Sequence, residues 1–258
     1  MAKRAKQIDN RIVSSGKVVR AATTHKQQLA AALEARAIEV QGPSTKATAQ
    51  FFEILFDFLG DTLDHSARKL GQAEDIVVGE RADDVQLRED RGAAESDLIA
   101  CSVRIRSSVA DLKGNDAVKT YGLEGTQPRR GRELSIHARN VARLLKAKPF
   151  SETVDGVTYD SAGMAAALVA RADKLDGLLT DLEREEHELG DALGKRDKVL
   201  TSWGDDYQGV ADALTGLFRV GGRKDLSERV RPTTRVLSGD EEASDVEAQA
   251  PASEAQQT

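Results

Sequence analysis

A seven-residue repeat of apolar side chains between residues 162 and 220 constrains the fold of this chain more than any other feature. Two interleaved series of positions follow the repeat, and thirteen of their fifteen members are apolar or aromatic. The first series is Leu168, Leu175, Leu182, Leu189, Arg196, Trp203, Val210 and Leu217, and the second is Ala172, Leu179, Glu186, Leu193, Leu200, Tyr207 and Leu214. A sustained heptad places such residues on one stripe of an α-helix. The repeat therefore predicts one long helix that buries this stripe against another helix.

A weaker form of the same repeat covers residues 46–113 and predicts a second long helix. Its apolar positions include Phe56, Leu63, Leu70, Val77, Leu98 and Ile105. Charged residues interrupt both repeats near their middles. An antiparallel alignment would place Arg91 near Glu186. The same alignment would place Asp84 near Arg196, so that opposite charges meet in the seam. This alignment is a hypothesis; the alternative is that these charges lie where the seam opens to water.

The five prolines lie outside the two long repeats and, with several glycines, mark the ends of shorter elements. They predict helices over 17–41 and 130–147, a short final turn at 223–230, and an extended turn between Pro149 and Asp160. The low aromatic content, 4%, favours thin helix-on-helix seams over one thick core. The expected fold class is all-α: a long antiparallel helical hairpin with a coiled-coil-like seam and shorter flanking helices, together forming an elongated bundle.

Charge is distributed unevenly along the 258 residues, whose formal net charge is -6. The first twenty residues carry six bases and one acid, whereas the residues from Asp240 onward carry six acids and no base. This contrast predicts three regions. They are a basic flexible arm over 1–16, a helical hairpin or bundle domain over 17–236, and an acidic disordered tail over 237–258.

Cysteine usage and hydropathy bear on the cellular setting. The single cysteine, Cys101, excludes an intrachain disulfide and favours a reducing compartment, although a cysteine-poor secreted protein stays open. Residues 1–16 lack the apolar core of a signal peptide. No apolar stretch approaches the ~18 residues that a membrane span needs. We therefore expect a cytoplasmic protein with no membrane span.

One segment carries a resemblance to other proteins. Residues 217–232, which read LFRVGGRKDLSERVRP, are similar to the C-terminal signature of a family of uncharacterised bacterial long-helical proteins. The resemblance covers about sixteen residues and, more loosely, the helical layout. It implies no activity, cofactor or site residue.

The densest apolar cluster lies at residues 51–59 and holds four of the six phenylalanines. These candidate interaction residues are Phe51, Phe52, Phe56 and Phe58. The cluster is apolar on more than one helix face, which is typical of a partner-binding or membrane-dipping surface. The alternative is a helix end that helix 17–41 and the far end of helix 162–220 bury within the chain. We favour burial, with an oligomer interface as the second interpretation.

Basic residues form the other candidate surface. On helix 130–147, four of them recur on one face, and they are Arg132, Arg139, Arg143 and Lys146. A second cluster comprises Arg219, Arg223, Lys224, Arg229, Arg231 and Arg235. Either cluster has the charge to neutralise phosphates, but no aromatic platform or nucleic-acid-binding motif accompanies it. The acidic run at 183–188 offers internal partners, and we favour internal pairing or solvation.

Enzyme and metal chemistry have little support in the sequence. The Glu-x-x-His motif of helical di-iron proteins is absent, and Cys101 falls on the predicted seam. No Gly-x-Ser-x-Gly elbow or phosphate-binding loop is present. We therefore expect that the protein is not an enzyme and that it binds no cofactor or metal. The expected function is a structural or protein-interaction module, acting as a scaffold, spacer or homo-oligomer. The alternative is a protein associated with nucleic acid or another polyanion through the basic arm and the basic helix.

Overall fold

The computed structural model describes residues 4–154 and 156–240, and its fold class is all-α as predicted. Eight helices and one small hairpin follow each other along these residues. They are α1 (Lys6–Thr24), α2 (Lys26–Gln41), α3 (Ala49–Lys113), α4 (Asn115–Thr120), α5 (Gly131–Ala147), β1 (Ser151–Val154), β2 (Val157–Asp160), α6 (Ser161–Val220), α7 (Lys224–Val230) and α8 (Thr234–Ser238). The two long helices predicted from the heptads are α3 and α6.

The beginning of the chain differs from the prediction. Most of the predicted flexible arm over 1–16 is the first part of α1, and the single helix expected over 17–41 is two helices that meet at His25. Apolar residues spaced three or four apart explain this, because Ile8 and Val18 are each only 3% exposed in the core. Charge density was therefore a weaker guide than this spacing. The predicted disordered tail lies outside the described residues from position 241 onward.

The chain divides into two compact units. Unit 1 consists of the residues up to Gly79 and from Asp191 onward, and unit 2 consists of Glu80–Gly190. Each unit therefore contains part of α3 and part of α6. The helical domain predicted over 17–236 thus contains two compact bodies.

Unit 1 has a core rich in aromatic rings. Phe56 of α3 stacks on Phe218 of α6, with 6.1 Å between ring centroids. Trp203 lies 5.2 Å from Tyr207, and its indole Nε1 donates a 2.9 Å hydrogen bond to the Ser15 hydroxyl of α1. A buried indole N–H needs such a partner, so this bond ties α1 to α6.

A buried glutamate fixes the alignment of α3 and α6 in unit 1. Glu74 is 0% exposed, accepts a 3.0 Å hydrogen bond from the backbone N–H of Ala5, and lies 3.3 Å from the guanidinium of Arg196. A fully buried carboxylate requires such partners, because an unpaired charge in the core costs several kcal/mol (~3–5). Because Ala5 precedes α1, the same carboxylate anchors the start of that helix.

The predicted antiparallel direction is confirmed, but the predicted alignment is wrong. Arg196 meets Glu74, about three helical turns before the expected Asp84. Asp84 instead pairs with Arg88 of its own helix, and Arg91 lies 3.8 Å from Glu95. The heptad pattern missed this arrangement because Glu74 stands beside the heptad positions rather than on one of them.

Unit 2 has a core of aliphatic side chains. Its fully buried residues include Leu98, Leu134, Leu145, Leu168 and Leu175. Glu95, 8% exposed, accepts a 2.8 Å hydrogen bond from the backbone N–H of Gly131, where α5 begins. The extended turn predicted over 149–160 is the β1–β2 hairpin, in which Ser151 pairs with Asp160. Its predicted tip includes Asp155, which lies outside the described residues.

The chain order repeats one pattern, in which a short helix precedes a long one. In unit 1, Arg4 meets Asp75 while Lys26 meets Asp57, so α1 runs antiparallel to α3. In unit 2, α5 runs antiparallel to α6. Arg132 contacts Glu183, whereas Arg139, later in α5, contacts the earlier residues 173 and 176 of α6. Each long helix thus has a shorter helix from earlier in the chain as an antiparallel neighbour, although α2 separates α1 from α3 along the chain.

Candidate interaction surfaces

The phenylalanine cluster of α3 divides between the core and the surface. Phe56 is 1% exposed and stacks in the core, and Phe52 packs partly against it. Phe51 and Phe58, in contrast, are 52% and 64% exposed. Burial within the chain is therefore confirmed for Phe56 and in part for Phe52, whereas a contact surface at Phe51 and Phe58 stays a prediction.

Ile54 joins the two exposed phenylalanines in one apolar ridge. It is 62% exposed and stands three residues after Phe51 and four before Phe58. That spacing places all three side chains on one face of the helix. The ring of Phe52 meets that of Phe51 edge-on at 5.4 Å and supports it from the core side. We call Phe51, Ile54 and Phe58 the apolar ridge; contiguous exposed apolar groups of this kind are typical of contact surfaces.

The predicted basic face of α5 is largely neutralised within unit 2. Arg132 lies 2.7 Å from Glu183, a residue of the predicted acidic run. Arg139 bridges Asp173 at 2.6 Å and Asp176 at 2.8 Å, and the hydrogen bonds that it donates to these carboxylates raise the pKa of its guanidinium group. The favoured interpretation, internal pairing, is thus confirmed for Arg132 and Arg139.

The other two predicted residues of this face have different surroundings. Arg143 donates a 3.0 Å hydrogen bond to the side-chain oxygen of Asn140, and Lys146 is exposed. Neither residue takes part in an ion pair within the described part of the chain. The face therefore keeps two of its four charges free of carboxylates.

A basic cleft in unit 1 brings together residues that are about two hundred positions apart in sequence. It has a volume of about 510 Å³ and lies between α1, α6, α7 and α8. Its basic rim consists of Lys17, Arg20, His25, Arg229 and Arg231. Its apolar floor consists of Val18, Ala21, Tyr207, Leu226, Val230 and Val236. The sequence showed the bases of the first twenty residues and the basic cluster at 219–235 separately, but carried no signal that they meet.

The cations of this rim have no carboxylate partner in the part of the chain that the structure describes. Lys17, Arg20, Arg229 and Arg231 form no ion pair with any described residue, and Glu228 is the one acid among the cleft's described neighbours. Two nearby arginines outside the rim do have partners. Arg11 donates to the backbone carbonyls of residues 237 and 238, and Arg223 lowers the pKa of Asp225 to about 2 through its hydrogen bond.

A cysteine and a group of three glutamates could in principle be reactive or bind a metal ion, but their surroundings give each a structural explanation. Cys101 is buried, and this burial raises the pKa of its thiol, which keeps it in the unreactive neutral form. Glu80, Glu185 and Glu188 hold carboxylate oxygens within 4.8 Å of one another. Arg184 lies 3.4 Å from Glu185 and 3.8 Å from Glu188, and so offsets part of this charge. The search for Glu-x-x-His missed this group because it contains no histidine.

Comparison with other proteins gives no direct guide to function. No protein-family model, curated protein or solved structure matches the chain. Within the described residues, no helix has both the length and the apolarity that crossing a membrane requires. The apolar ridge and the basic cleft are therefore the observations on which a functional account rests.

Proposed function

We propose that this protein is a helical interaction module that self-associates through the apolar ridge of α3. The observation that carries the proposal is the exposure of two phenylalanines and one isoleucine on a single helix face, at 52%, 64% and 62%. A second copy of the chain is the occupant that this geometry favours. The ridge is nearly symmetric about Ile54, so an identical ridge can lie across it with Phe51 of one copy beside Phe58 of the other.

The energetics favour a reversible contact. Full burial of a Phe or Ile side chain is worth about 1.5–3 kcal/mol, and side chains already half buried gain roughly half of that. A two-fold contact uses each side chain twice. The six side chains together contribute about 4.5–9 kcal/mol. After the entropy cost of association, we expect a weak contact with a dissociation constant on the order of millimolar, about -4 kcal/mol.

The proposed role also includes a function for the two long helices and a cellular setting. The long helices α3 and α6 act as a spacer whose antiparallel seam has a coiled-coil-like repeat, and the ridge provides the joining point. We propose a cytoplasmic setting, in keeping with the single buried thiol. The role requires no catalysis and no cofactor.

The alternative function, association with nucleic acid or another polyanion, has less support. It relied partly on the basic face of α5, where Arg132 and Arg139 are held by carboxylates of α6. Phosphate binding there would first have to break these ion pairs. The bases of α1 are also spread through a folded helix rather than along an extended arm.

Light scattering on a size-exclusion column tests the proposed function. The wild-type chain is expected to change from monomer to dimer as its concentration rises towards the millimolar range. The double variant Phe51→Ser/Phe58→Ser is expected to stay monomeric. Ile136→Ser provides a matched control, because Ile136 is 66% exposed on α5 in unit 2. This control should dimerise like the wild type.

Two results would overturn the proposal. One is a wild-type chain that stays monomeric at every concentration. The other is a ridge variant that dimerises as readily as the wild type, which would place the interface elsewhere on the molecule.

A further inference from the structure

We propose that the basic cleft of unit 1 binds a small amphiphilic phosphate, a molecule with one phosphate group and a short apolar chain. The phosphate lies at the rim between the bases of α1 and those of α7 and the turn that follows it. The apolar chain lies along the floor. This binding does not depend on the self-association proposed for the ridge.

The dimensions of the cleft fit a small molecule. Its volume of about 510 Å³ lies within the range of sites that bind small ligands, roughly 300–1,000 Å³. Four helices contribute to it, so their packing preforms its shape. The floor residues Leu226, Val230 and Val236 are 2–7% exposed and belong to the core cluster of unit 1. A ligand therefore meets a packed apolar surface rather than a mobile loop.

The rim provides the charge complementarity. Lys17, Arg20, Arg229 and Arg231 are four cations without carboxylate partners among the described residues, against the single acid Glu228. Unpaired cations are ordinary on a protein surface, but here four of them surround one apolar floor. The planar guanidinium group of arginine matches phosphate in a bidentate manner, and three of the four cations are arginines.

The combination of rim and floor decides the class of ligand. A bare inorganic anion would use the rim and leave the floor in water. A single nucleic-acid strand would need exposed aromatic rings on which its bases stack. Among the described residues that line the cleft, Tyr207 has the one phenol, phenyl or indole ring, and it is only 3% exposed. An amphiphile with a single phosphate uses both parts of the cleft.

Isothermal titration calorimetry of the full chain with octyl phosphate, below its micelle concentration, tests this proposal. We expect one saturable site. Inorganic phosphate and octyl glucoside, which present the head or the chain alone, should each bind at least ten times more weakly. The fluorescence of Trp203, whose ring lies 5.2 Å from Tyr207, should change over the same titration.

Substitution of the rim makes the test specific. Arg229→Ala/Arg231→Ala is expected to weaken octyl phosphate binding at least tenfold. Arg20→Ala, on a different helix, should weaken it as well, so a folding defect in one variant does not decide the result. Arg143→Ala/Lys146→Ala removes the same charge from α5 and should leave binding unchanged.

Several results would overturn the proposal. Equal losses in the rim and control variants would show that net charge alone drives binding. Tighter binding of a single-stranded oligonucleotide than of octyl phosphate would assign the rim to polyanions. Octyl phosphate binding that appears only after removal of residues 241–258 would make the chain's own acidic segment the occupant.

Discussion

The two units share a scaffold but differ in what they leave unsatisfied. Each has parts of α3 and α6 and a shorter helix whose start is anchored by a buried glutamate, Glu74 in unit 1 and Glu95 in unit 2. Unit 2 pairs arginines on the surface of α5 with its own carboxylates. Unit 1 leaves an apolar ridge exposed and four cations of one cleft without carboxylate partners among the described residues. The features suited to binding therefore concentrate in unit 1.

The neighbours of each basic helix explain this difference. Arg132 and Arg139 of α5 face a stretch of α6 that supplies Asp173, Asp176 and Glu183. The bases of α1 at the cleft face α7 and the residues after it, which supply Arg229 and Arg231 instead. The density of basic residues in a segment thus says little about their freedom, which depends on what the fold places opposite them.

The largest expected effect concerns the aromatic core that distinguishes unit 1. Phe218→Ala removes a ring that is 0% exposed and stacks on Phe56. The resulting cavity should lower the free energy of unfolding by about 3–5 kcal/mol. Urea denaturation followed by circular dichroism measures the loss. A change below ~1 kcal/mol would mean that this part of the core does not pack as described.

The buried glutamates offer the next test, because they anchor equivalent helix starts with different partners. Glu74→Gln removes the charge that faces Arg196 and should cost about 2–3 kcal/mol of stability, since the partly buried guanidinium then keeps only Asp197 as a carboxylate partner among the described residues.

Glu95→Gln is the matched variant in unit 2. Glu95 lies 3.8 Å from a partly exposed Arg91, and a glutamine oxygen can still accept the backbone bond from Gly131. We therefore expect a loss of only about 1 kcal/mol. Urea denaturation measures the loss of stability in both variants. Equal losses would contradict the expected difference between the two buried glutamates.

A smaller effect is expected for surface charge. Arg132→Ala removes the ion pair with Glu183, whose two side chains are 63% and 60% exposed, and should cost about 0.2–1 kcal/mol at low salt. Arg231→Ala removes a cation that has no carboxylate partner in the described part of the chain, and should leave stability unchanged or slightly raised. Thermal melts at low and high salt measure the stability change of both variants. Added salt should reduce the difference between the two changes, because it screens surface ion pairs. A larger loss for Arg231→Ala would show that its charge is satisfied within the fold.

The sequence predicted the fold class and the long helices because heptads report directly on which helix face is buried. The observed α3 and α6 begin and end within three residues of the predicted bounds. The alignment of α3 with α6 could not be predicted from the heptads. It depends on Glu74, whose burial follows from the approach of α1 and Arg196 rather than from any local pattern.

The candidate surfaces were predicted only in part, for a related reason. The phenylalanine cluster was visible in the sequence, but its division into buried Phe56 and exposed Phe51 and Phe58 depends on which faces of α3 the neighbouring helices cover. The cleft joins residues near position 20 to residues near position 230. Only the packing of α1 against α7 and α8 creates it.

Disulfide cross-linking at the centre of the ridge tests the proposed self-association most directly. In a Cys101→Ala background, Ile54→Cys places one thiol where the two-fold contact would bring the same position of two copies together. Ile136→Cys is the control, because Ile54 and Ile136 are similarly exposed, at 62% and 66%. Under mild oxidation at a concentration approaching millimolar, we predict much faster formation of a covalent dimer for Ile54→Cys than for Ile136→Cys. Equal rates for the two variants, or faster cross-linking at position 136, would contradict the assignment of the ridge as the interface.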